Sequence, residues 1–334
     1  MKAIRTGTPA TLESLHLVEA DEPGQPGAGE ILVRIRASSL NYHDYAAVSG
    51  MIPVAQGRIP MSDGAGEVVA IGENVREFAV GDHVVSTFFP NWIDGHCPSD
   101  GFRFVPGDGM DGYACELARM PATAFTHVPR GYSHAEAATL TCAGLTAWRA
   151  LVSDGPLIAG QTVLVQGSGG VSIFALQIAK AMGARVIATS SSDEKLERMR
   201  AMGADVTINY KSQPDWGKAV AKASGGGVDH VVEIGGAGTL GQSSIATRPG
   251  GHIALIGVLA GFSGDFPSAV LMQKQIRLQG LTVGSRRQQQ DFIRAIDANG
   301  IRPVIDSHYP LADLADAFRH QIAGAHFGKI VVYI

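Results

Sequence analysis

Short apolar runs separated by turn residues dominate the first third of the chain, and in the run at 30–36 apolar and polar residues alternate. The runs at 30–36, 66–71 and 82–86 are bounded by Gly, Pro and Asp, which is typical of strands separated by tight turns. The stretch 90–111 lacks such a run and is rich in Gly, Asp and Pro, which predicts a long surface loop. We therefore predict a mostly β domain over residues 1–122.

From residue 123 onward, nearly continuous apolar runs alternate with helical stretches. The apolar runs predict strands at 162–166, 185–189, 206–209, 229–234 and 252–257, and the intervening patterns predict helices at 135–152, 172–182 and 193–202. Strands this apolar are buried on both faces, as in a parallel sheet covered by helices. The pattern predicts an α/β fold with a doubly wound domain over 123–261 and a C-terminal segment, 262–334, that returns to the first domain.

Composition narrows the class of protein. The 334 residues carry a formal net charge of −4 and only 17% are charged, which argues against a disordered chain and against a nucleic-acid partner. No long apolar run predicts a membrane span or a secretory signal, so we expect a cytoplasmic protein with no membrane partner. The 42 glycines, nearly twice the usual ~7%, indicate many places where the backbone turns tightly or approaches another group closely.

One glycine-rich turn joins a predicted strand directly to a predicted helix. It reads Gly167-Ser-Gly-Gly-Val-Ser172. Its glycines permit a tight turn and a close backbone approach, and the helix start adds the positive end of its dipole. Such a turn binds the pyrophosphate of a dinucleotide, and its predicted contacts are Gly167, Gly169, Gly170 and Val171. Ser172 replaces the third glycine of the G-x-G-x-x-G pattern.

The end of the next strand indicates which dinucleotide binds. NAD sites usually have an acidic residue there, which binds the ribose hydroxyls and would repel a 2′-phosphate. This strand instead ends in Ala-Thr-Ser-Ser-Ser, so that Ser190, Ser191 and Lys195 offer hydroxyl and ammonium donors. We predict NADPH rather than NADH. The alternative reading is that Ser192 or Asp193 caps a helix and that Lys195 is solvated.

These motifs, taken with others, resemble the medium-chain dehydrogenase/reductase superfamily, and in particular its zinc-independent, quinone-oxidoreductase-like branch. The resemblance implies a GroES-like catalytic domain, a Rossmann domain, a nicotinamide cofactor and a homodimer. The matching segments are Ser38-Ser-Leu-Asn-Tyr-His-Asp44, Ser62-Asp-Gly-Ala-Gly-Glu-Val68, Gly81-Asp-His-Val84, Glu136-Ala-Ala-Thr-Leu140, Gly144-Leu-Thr-Ala147, 163–172, Gly203-Ala-Asp205, Ile208-Asn-Tyr210 and Phe327-Gly-Lys329.

The chain departs from zinc-dependent members of this superfamily at the ligand positions. Asn41 stands where those members have a cysteine, and Ser62-Asp63 stands in place of a His-Glu pair. Catalytic zinc needs three protein ligands, normally with thiolate or imidazole groups among them. We therefore expect no metal ion and no zinc.

Without a metal ion, hydrogen-bond donors or a general acid must stabilise the negative charge that hydride transfer builds on an oxygen. The resemblance places the loop after the strand at 30–36 beside the nicotinamide, which makes Asn41, Tyr42 and Tyr45 the catalytic candidates. Asn41 followed by Asp44 also matches a capping box, which would explain both residues without catalysis. Two pocket tyrosines of quinone reductases have no counterpart here, since their places fall near Ala46 and Ile52.

The resemblance also implies contacts outside the glycine-rich turn. The further cofactor contacts are Thr146, Tyr210, Gly235, Ile256, Gly257, Ser285 and Lys329, with Lys329 reaching the pyrophosphate. For Ile256, a place in the core of a strand is an equal alternative. Phe88, Phe89 and Trp92 form an aromatic cluster that could wall a flat apolar substrate or could simply be core.

The sequence thus predicts a zinc-independent, NADPH-dependent oxidoreductase that transfers hydride to a small-molecule quinone, activated C=C bond or carbonyl. A zinc-independent alcohol dehydrogenase working oxidatively is one alternative. An NADPH-binding sensor or structural protein without turnover is another.

Overall fold

The computed structural model describes residues 1–334, which form fifteen strands and ten α-helices. The strands are β1 (Lys2–Arg5), β2 (His16–Glu19), β3 (Glu30–Ser39), β4 (Ala65–Ile71), β5 (His83–Ser86), β6 (Leu117–Pro121), β7 (Phe125–His127), β8 (Thr162–Gln166), β9 (Arg185–Ser190), β10 (Val206–Asn209), β11 (Val228–Glu233), β12 (Thr247–Leu255), β13 (Arg277–Gly280), β14 (Ile305–Pro310) and β15 (Lys329–Tyr333). The helices are α1 (Tyr42–Val48), α2 (His134–Ala138), α3 (Leu145–Trp148), α4 (Gly170–Ala181), α5 (Asp193–Ala201), α6 (Trp216–Ala223), α7 (Ala237–Ala246), α8 (Ser268–Gln273), α9 (Arg286–Asn299) and α10 (Leu314–Ile322).

The chain divides into two compact units, and all of the antiparallel strand pairings lie in the first. This unit comprises Met1–Leu145 and Val283–Ile334. Its main sheet has the order β14-β15-β3-β4-β5-β7, with β6 also paired to β3. The C-terminal strand β15 runs antiparallel to β3, with Val331 opposite Ser39. Inward-facing residues of β3, among them Ile31, Val33 and Ile35, pack on Phe125 and Tyr113 in the core.

The second unit, Thr146–Thr282, contains a six-stranded sheet in the order β10-β9-β8-β11-β12-β13. Every pairing in it is parallel, and the order reverses between β8 and β11. This is the strand order of a Rossmann fold, whose ligands bind beyond the carboxyl ends of the strands near the reversal. The predicted α/β class, with a GroES-like β domain and a Rossmann sheet, is confirmed.

The divisions between the units fall after residues 145 and 282, whereas the change of sequence pattern predicts them after 122 and 261. The first differs because β7 pairs with β5 and α2 packs on β3, which joins 123–145 to the first unit. The second differs because β13 extends the parallel sheet beside β12. Strand pairing, which sets these boundaries, is not visible in local hydrophobic periodicity.

The predicted helix at 135–152 is interrupted in the structure. Its α-helical parts, α2 and α3, are separated by a π-helical segment at Leu140–Gly144, and a second one follows at Arg149–Ser153. Such segments are uncommon and often lie near functional sites. None of the helices is both long enough and apolar enough to cross a lipid bilayer.

Candidate functional site

The predicted phosphate-binding turn lies where β8 ends and α4 begins. Gly167 has a φ of +69°, a left-handed conformation that favours glycine, and its N–H donates to Thr189 O at 2.7 Å. Ser172, at the position of the third glycine, is buried, and its hydroxyl donates to Gln166 O at 2.5 Å. The serine thus ties the helix to the strand, so that the close packing normally permitted by glycine is retained.

The chain itself gives no structural reason for a glycine at position 169. Its φ is −77°, which any residue adopts, and an added Cβ would meet no atom within 4 Å. It is the N-cap residue of α4, where Gly170 and Val171 begin the first turn and no side chain bonds to the cap. Open space in front of uncapped helix amides fits a phosphate group.

Of the serines at the end of β9 and just after it, two make hydrogen bonds within the chain and one remains accessible. Ser192 accepts the N–H of Lys195 at 3.3 Å, and so caps α5 as the alternative reading predicts. Ser190 is buried, and its hydroxyl accepts the Ser192 N–H at 3.3 Å. Ser191 is half-buried, while Tyr210, at the end of β10, is 41% exposed. Ser191 and Tyr210 therefore remain accessible at this end of the sheet.

A buried carboxylate that the sequence pattern does not reveal as functional lies at the end of the neighbouring strand, β11. Glu233, the last residue of β11, is fully buried. A Cβ added at Gly235 would lie 2.2 Å from Thr239 Oγ1, one of its donors, so Gly235 is required by this packing. The carboxylate accepts hydrogen bonds from Gly235 N, Gly236 N, Thr239 Oγ1, Gln166 Nε2 and Ser243 Oγ. Its oxygens are thus engaged within the chain rather than directed to a ligand.

The remaining predicted contacts of this unit also have structural roles. A Cβ at Gly257 would lie 2.2 Å from Ile234 O, so that the backbone itself requires glycine. Thr146 is buried in α3. Ile256 is half-buried and packs on the core cluster of Ala150, Ala254 and Leu281, which agrees with its core reading. These contacts with a cofactor stay predictions.

In the first unit, the side chain of Asn41 is engaged at both ends. It precedes α1, and its Oδ1 accepts the Lys329 ammonium at 2.6 Å. Its Nδ2 donates to Asp44 Oδ2 at 3.1 Å, and its backbone N–H donates to the same oxygen at 2.9 Å. The structure therefore favours the capping interpretation of Asn41 and Asp44 over a direct bond to substrate.

Lys329 has a different set of partners from the pyrophosphate that the resemblance implies. Its side chain is buried, and Nζ donates to Leu40 O at 2.5 Å in addition to Asn41. Asp63 Oδ2 lies 3.7 Å from Nζ. The ammonium is therefore held within the first unit by three oxygen atoms.

Two carboxylates lie in the interior beside this lysine. Asp63 and Asp44 are 0% and 1% exposed. Burial raises the pKa of Asp63, as does the neighbouring Asp44, whereas Lys329 opposes the shift. Ser39 donates to Asp63 Oδ2 at 2.7 Å, but Asp63 Oδ1 has no hydrogen-bond partner. A buried carboxylate with one unpaired oxygen depends strongly on its cation.

His43, whose role the sequence pattern does not indicate, lies between two carboxylates. Its Nε2 is 3.5 Å from Asp108 Oδ2 and its Nδ1 is 3.8 Å from Asp44 Oδ1. Burial disfavours the imidazolium, but Asp108 and Asp44 outweigh it and raise the pKa of His43 to about 9. A second cation thus lies beside the polar cluster. The adjacent pair of acidic Asp44 and a histidine was the signal available in the sequence.

The two candidate tyrosines differ in their surroundings. Both rings are half-buried, with centroids 6.0 Å apart. Tyr45 packs against Phe318 and borders the core cluster there. Tyr42 has no such core contact, which leaves it the better placed of the two for a role in chemistry.

The aromatic cluster and Ser285 both have structural roles in the fold. Phe88, Phe89 and Trp92 are almost fully buried and pack edge to face, with centroid distances of 4.8 and 5.7 Å. This arrangement agrees with core packing rather than with an open substrate wall. Ser285 caps α9, since its hydroxyl accepts the Gln288 N–H at 3.2 Å.

The side chains of the chain do not fit a zinc ion. No group of three or more His, Cys, Asp or Glu side chains is arranged to hold a metal. At the positions that correspond to zinc ligands, Asn41 and Asp63 instead contact the Lys329 ammonium. Catalytic zinc sites normally include thiolate or imidazole ligands, whereas the groups present here are an amide, a carboxylate and an ammonium. The absence of zinc from the working protein stays a prediction.

Comparison with known families agrees with this two-unit architecture. The alcohol dehydrogenase GroES-like domain matches residues 27–130, and the zinc-binding dehydrogenase domain matches residues 170–298. The chain therefore belongs to the medium-chain dehydrogenase/reductase superfamily and is an NAD(P)H-dependent oxidoreductase.

Individual relatives match over almost their whole length. A zinc-type alcohol dehydrogenase-like protein of Schizosaccharomyces pombe is 40% identical over 95% of this chain and 94% of its own. A Sinorhizobium meliloti 1021 structure described as an alcohol dehydrogenase is 43% identical, with a TM-score of 0.91 over 100% of this chain and 99% of its own. An NAD-dependent alcohol dehydrogenase structure is 33% identical, with a TM-score of 0.91 and full coverage of both chains.

Proposed function

We propose that the protein is an NADPH-dependent reductase that transfers hydride to a quinone, an activated C=C bond or a carbonyl without a metal ion. The observation that carries the proposal is the polar cluster of the first unit, where the Lys329 ammonium is bound to the residue that replaces a zinc-ligating cysteine. Reduction of an activated C=C bond is supported by an acryloyl-coenzyme A reductase of Sulfurisphaera tokodaii, 26% identical over 99% of both chains.

The nicotinamide supplies the hydride when it is bound. The protein must then stabilise the negative charge that develops on the substrate and donate a proton to it. The uncapped start of α4, next to the open space at Gly169, binds the pyrophosphate. Tyr42 donates a proton to the oxygen or carbon that becomes basic, because its phenol lies at the start of α1 without the core packing of Tyr45. The cations Lys329 and His43 favour the accumulation of negative charge nearby.

The preference for NADPH rests on the end of β9, where Ser190 and Ser191 stand in place of an acidic residue. A mycobacterial relative, 28% identical with a TM-score of 0.84, was solved with NADPH bound. Because the NAD-dependent relative is of comparable similarity, the proposal of NADPH rests on this chain's own residues.

Replacing Ser191 with Asp should reverse the cofactor preference. The new carboxylate repels a 2′-phosphate and accepts hydrogen bonds from ribose hydroxyls, so we expect kcat/KM for NADPH to fall about tenfold or more while that for NADH is kept or rises. Steady-state kinetics with both cofactors measures this. Ser268→Asp, at the exposed start of α8, adds the same charge elsewhere and should change neither value. A wild-type enzyme that prefers NADH would contradict the proposal directly.

The proposed reaction is tested by a panel of quinones, enones, enoyl thioesters, aldehydes and alcohols, each run with NADPH and NADH or with their oxidised forms. We expect NADPH consumption with members of the first four groups. Turnover confined to alcohols and NAD⁺ would instead establish the second candidate, an alcohol dehydrogenase acting oxidatively, which the name of the 33% identical relative favours. Tight NADPH binding without turnover across the panel would contradict both.

A further inference from the structure

The surroundings of the Lys329 ammonium are those of a bound cation. Nζ lies 2.5 Å from Leu40 O, 2.6 Å from Asn41 Oδ1 and 3.7 Å from Asp63 Oδ2. The side chain is 4% exposed, so water contributes little to its solvation. A backbone carbonyl, an amide carbonyl and a carboxylate therefore replace the hydration shell of the ammonium.

The cluster needs this positive charge. Asp63 is fully buried and its Oδ1 has no hydrogen-bond partner. Asp44 is buried next to it, with its oxygens bonded to Ser62 N and to Asn41. The ammonium of Lys329 is the cation paired with Asp63. Removing the charge would leave an uncompensated carboxylate in the interior.

The donor atoms also define which cation the cluster can hold. All three are oxygens, which suit ammonium, alkali or hard divalent ions, whereas zinc sites use mainly nitrogen and sulfur. A relative from Pyrobaculum aerophilum, 30% identical with a TM-score of 0.87, was solved with cobalt and zinc bound. In this chain three oxygen atoms instead surround an ammonium that the chain itself supplies.

We propose that the first unit contains an oxygen-lined cation site that is permanently filled by the chain's own Lys329, and that shortening this side chain opens the site to a small ammonium ion. The lysine then takes the place of an exchangeable metal ion in this interior. The proposal concerns the cluster alone and does not depend on the substrate or on the choice of cofactor.

The test is chemical rescue of Lys329→Ala, with n-propylammonium as the probe. This ion has the atoms that the truncation removes, from Cγ to Nζ. At constant ionic strength, we expect it to raise the thermal midpoint of the variant saturably and to leave that of the wild type unchanged. The neutral isostere n-propanol should not stabilise the variant. Adding Asp63→Asn to the variant should weaken the rescue about tenfold or more, because one ligand loses its charge.

Several results would overturn the proposal. One is a folded Lys329→Ala protein that propylammonium stabilises no better than propanol does. Another is rescue that the second substitution leaves unchanged. If the variant does not fold alone, refolding with each compound gives the same comparison, and equal yields with both count against the proposal. Finally, chelator-treated wild-type protein should take up no stoichiometric Co²⁺, as followed by calorimetry and visible absorption, and one tightly held Co²⁺ per chain in this cluster would contradict the site's being filled.

Discussion

At the scale of single residues, some polar and aromatic groups of the first unit stabilise the fold, whereas others are available for chemistry. Asn41 and Tyr45 were both candidates, yet Asn41 is bonded to Lys329 and Asp44, and Tyr45 packs on Phe318. Tyr42 is not engaged in either of these ways. His43 adds a positive charge that the motif alone did not indicate, since its pKa of about 9 results from carboxylates on either side.

Substituting Tyr42 with Phe tests the proton-donor role. Loss of a general acid typically costs about 10²–10⁴-fold in rate, so we expect kcat to fall about 100-fold or more with little change in the KM for NADPH. Tyr45→Phe is the matched control, since its ring packing survives the loss of the hydroxyl, and it should keep kcat within about twofold. Unchanged kcat in Tyr42→Phe would remove Tyr42 from this role.

At the scale of elements, the glycines at the carboxyl edge of the parallel sheet are explained by two different physical requirements. At Gly257 an added Cβ would strike Ile234 O, so the packing of the chain itself demands glycine. At Gly169 neither the backbone angle nor a neighbour does. A glycine with no structural reason, placed before an uncapped helix, is what a phosphate site requires.

Gly169→Ala should therefore weaken NADPH binding with little effect on stability, whereas Gly257→Ala should reduce stability. For Gly169→Ala we expect the free energy of unfolding to change by less than about 1 kcal/mol and the Kd for NADPH to rise at least about tenfold, because the new methyl group lies in the approach to the helix amides. For Gly257→Ala we expect a loss of about 1–3 kcal/mol from the clash with the backbone. Urea unfolding and fluorescence titration measure the two quantities. Wild-type NADPH affinity in folded Gly169→Ala would refute the phosphate role.

At the scale of the whole molecule, buried titratable groups make stability depend on pH. His230 and His252, on β11 and β12, are buried and face one another with ring centroids 5.7 Å apart. Burial, assisted by the charge of Arg277, lowers the pKa of each to about 4. The unfolded chain therefore takes up protons that the folded chain does not, and stability is lost as pH falls from about 6.5 toward 4.

Replacing His252 with Leu should reduce this acid sensitivity. Between pH 7 and pH 5 we expect the variant to lose less free energy of unfolding than the wild type, by on the order of 1 kcal/mol. Urea unfolding at both pH values gives the difference. His96→Gln, at an exposed position, should follow the wild-type profile. If His252→Leu does the same, the buried histidines are not the source of the pH dependence.

Local pattern was sufficient for the architecture because its signals are short-range. Near-continuous apolar strands separated by helices specify a parallel sheet, and the glycine-rich turn after β8 is written in consecutive residues, Gly167 to Ser172. The serines after β9 could be identified in the same way. The domain boundaries could not, because the pairing of β7 with β5 and of β13 with β12 joins residues distant in sequence.

The sequence by itself determined the fold class, the glycine-rich turn after β8, and the presence of Asn41 and Ser62-Asp63 where zinc-dependent members have a cysteine and a His-Glu pair. Only the tertiary structure brought Lys329, at the end of the chain, onto Asn41 and Asp63 near its beginning. It also enclosed Glu233 within its ring of donors and His43 between Asp44 and Asp108. The reason is physical: the identity of a charged group is local, but its burial and its partners are set by contacts between distant segments, and these decide what the group can do.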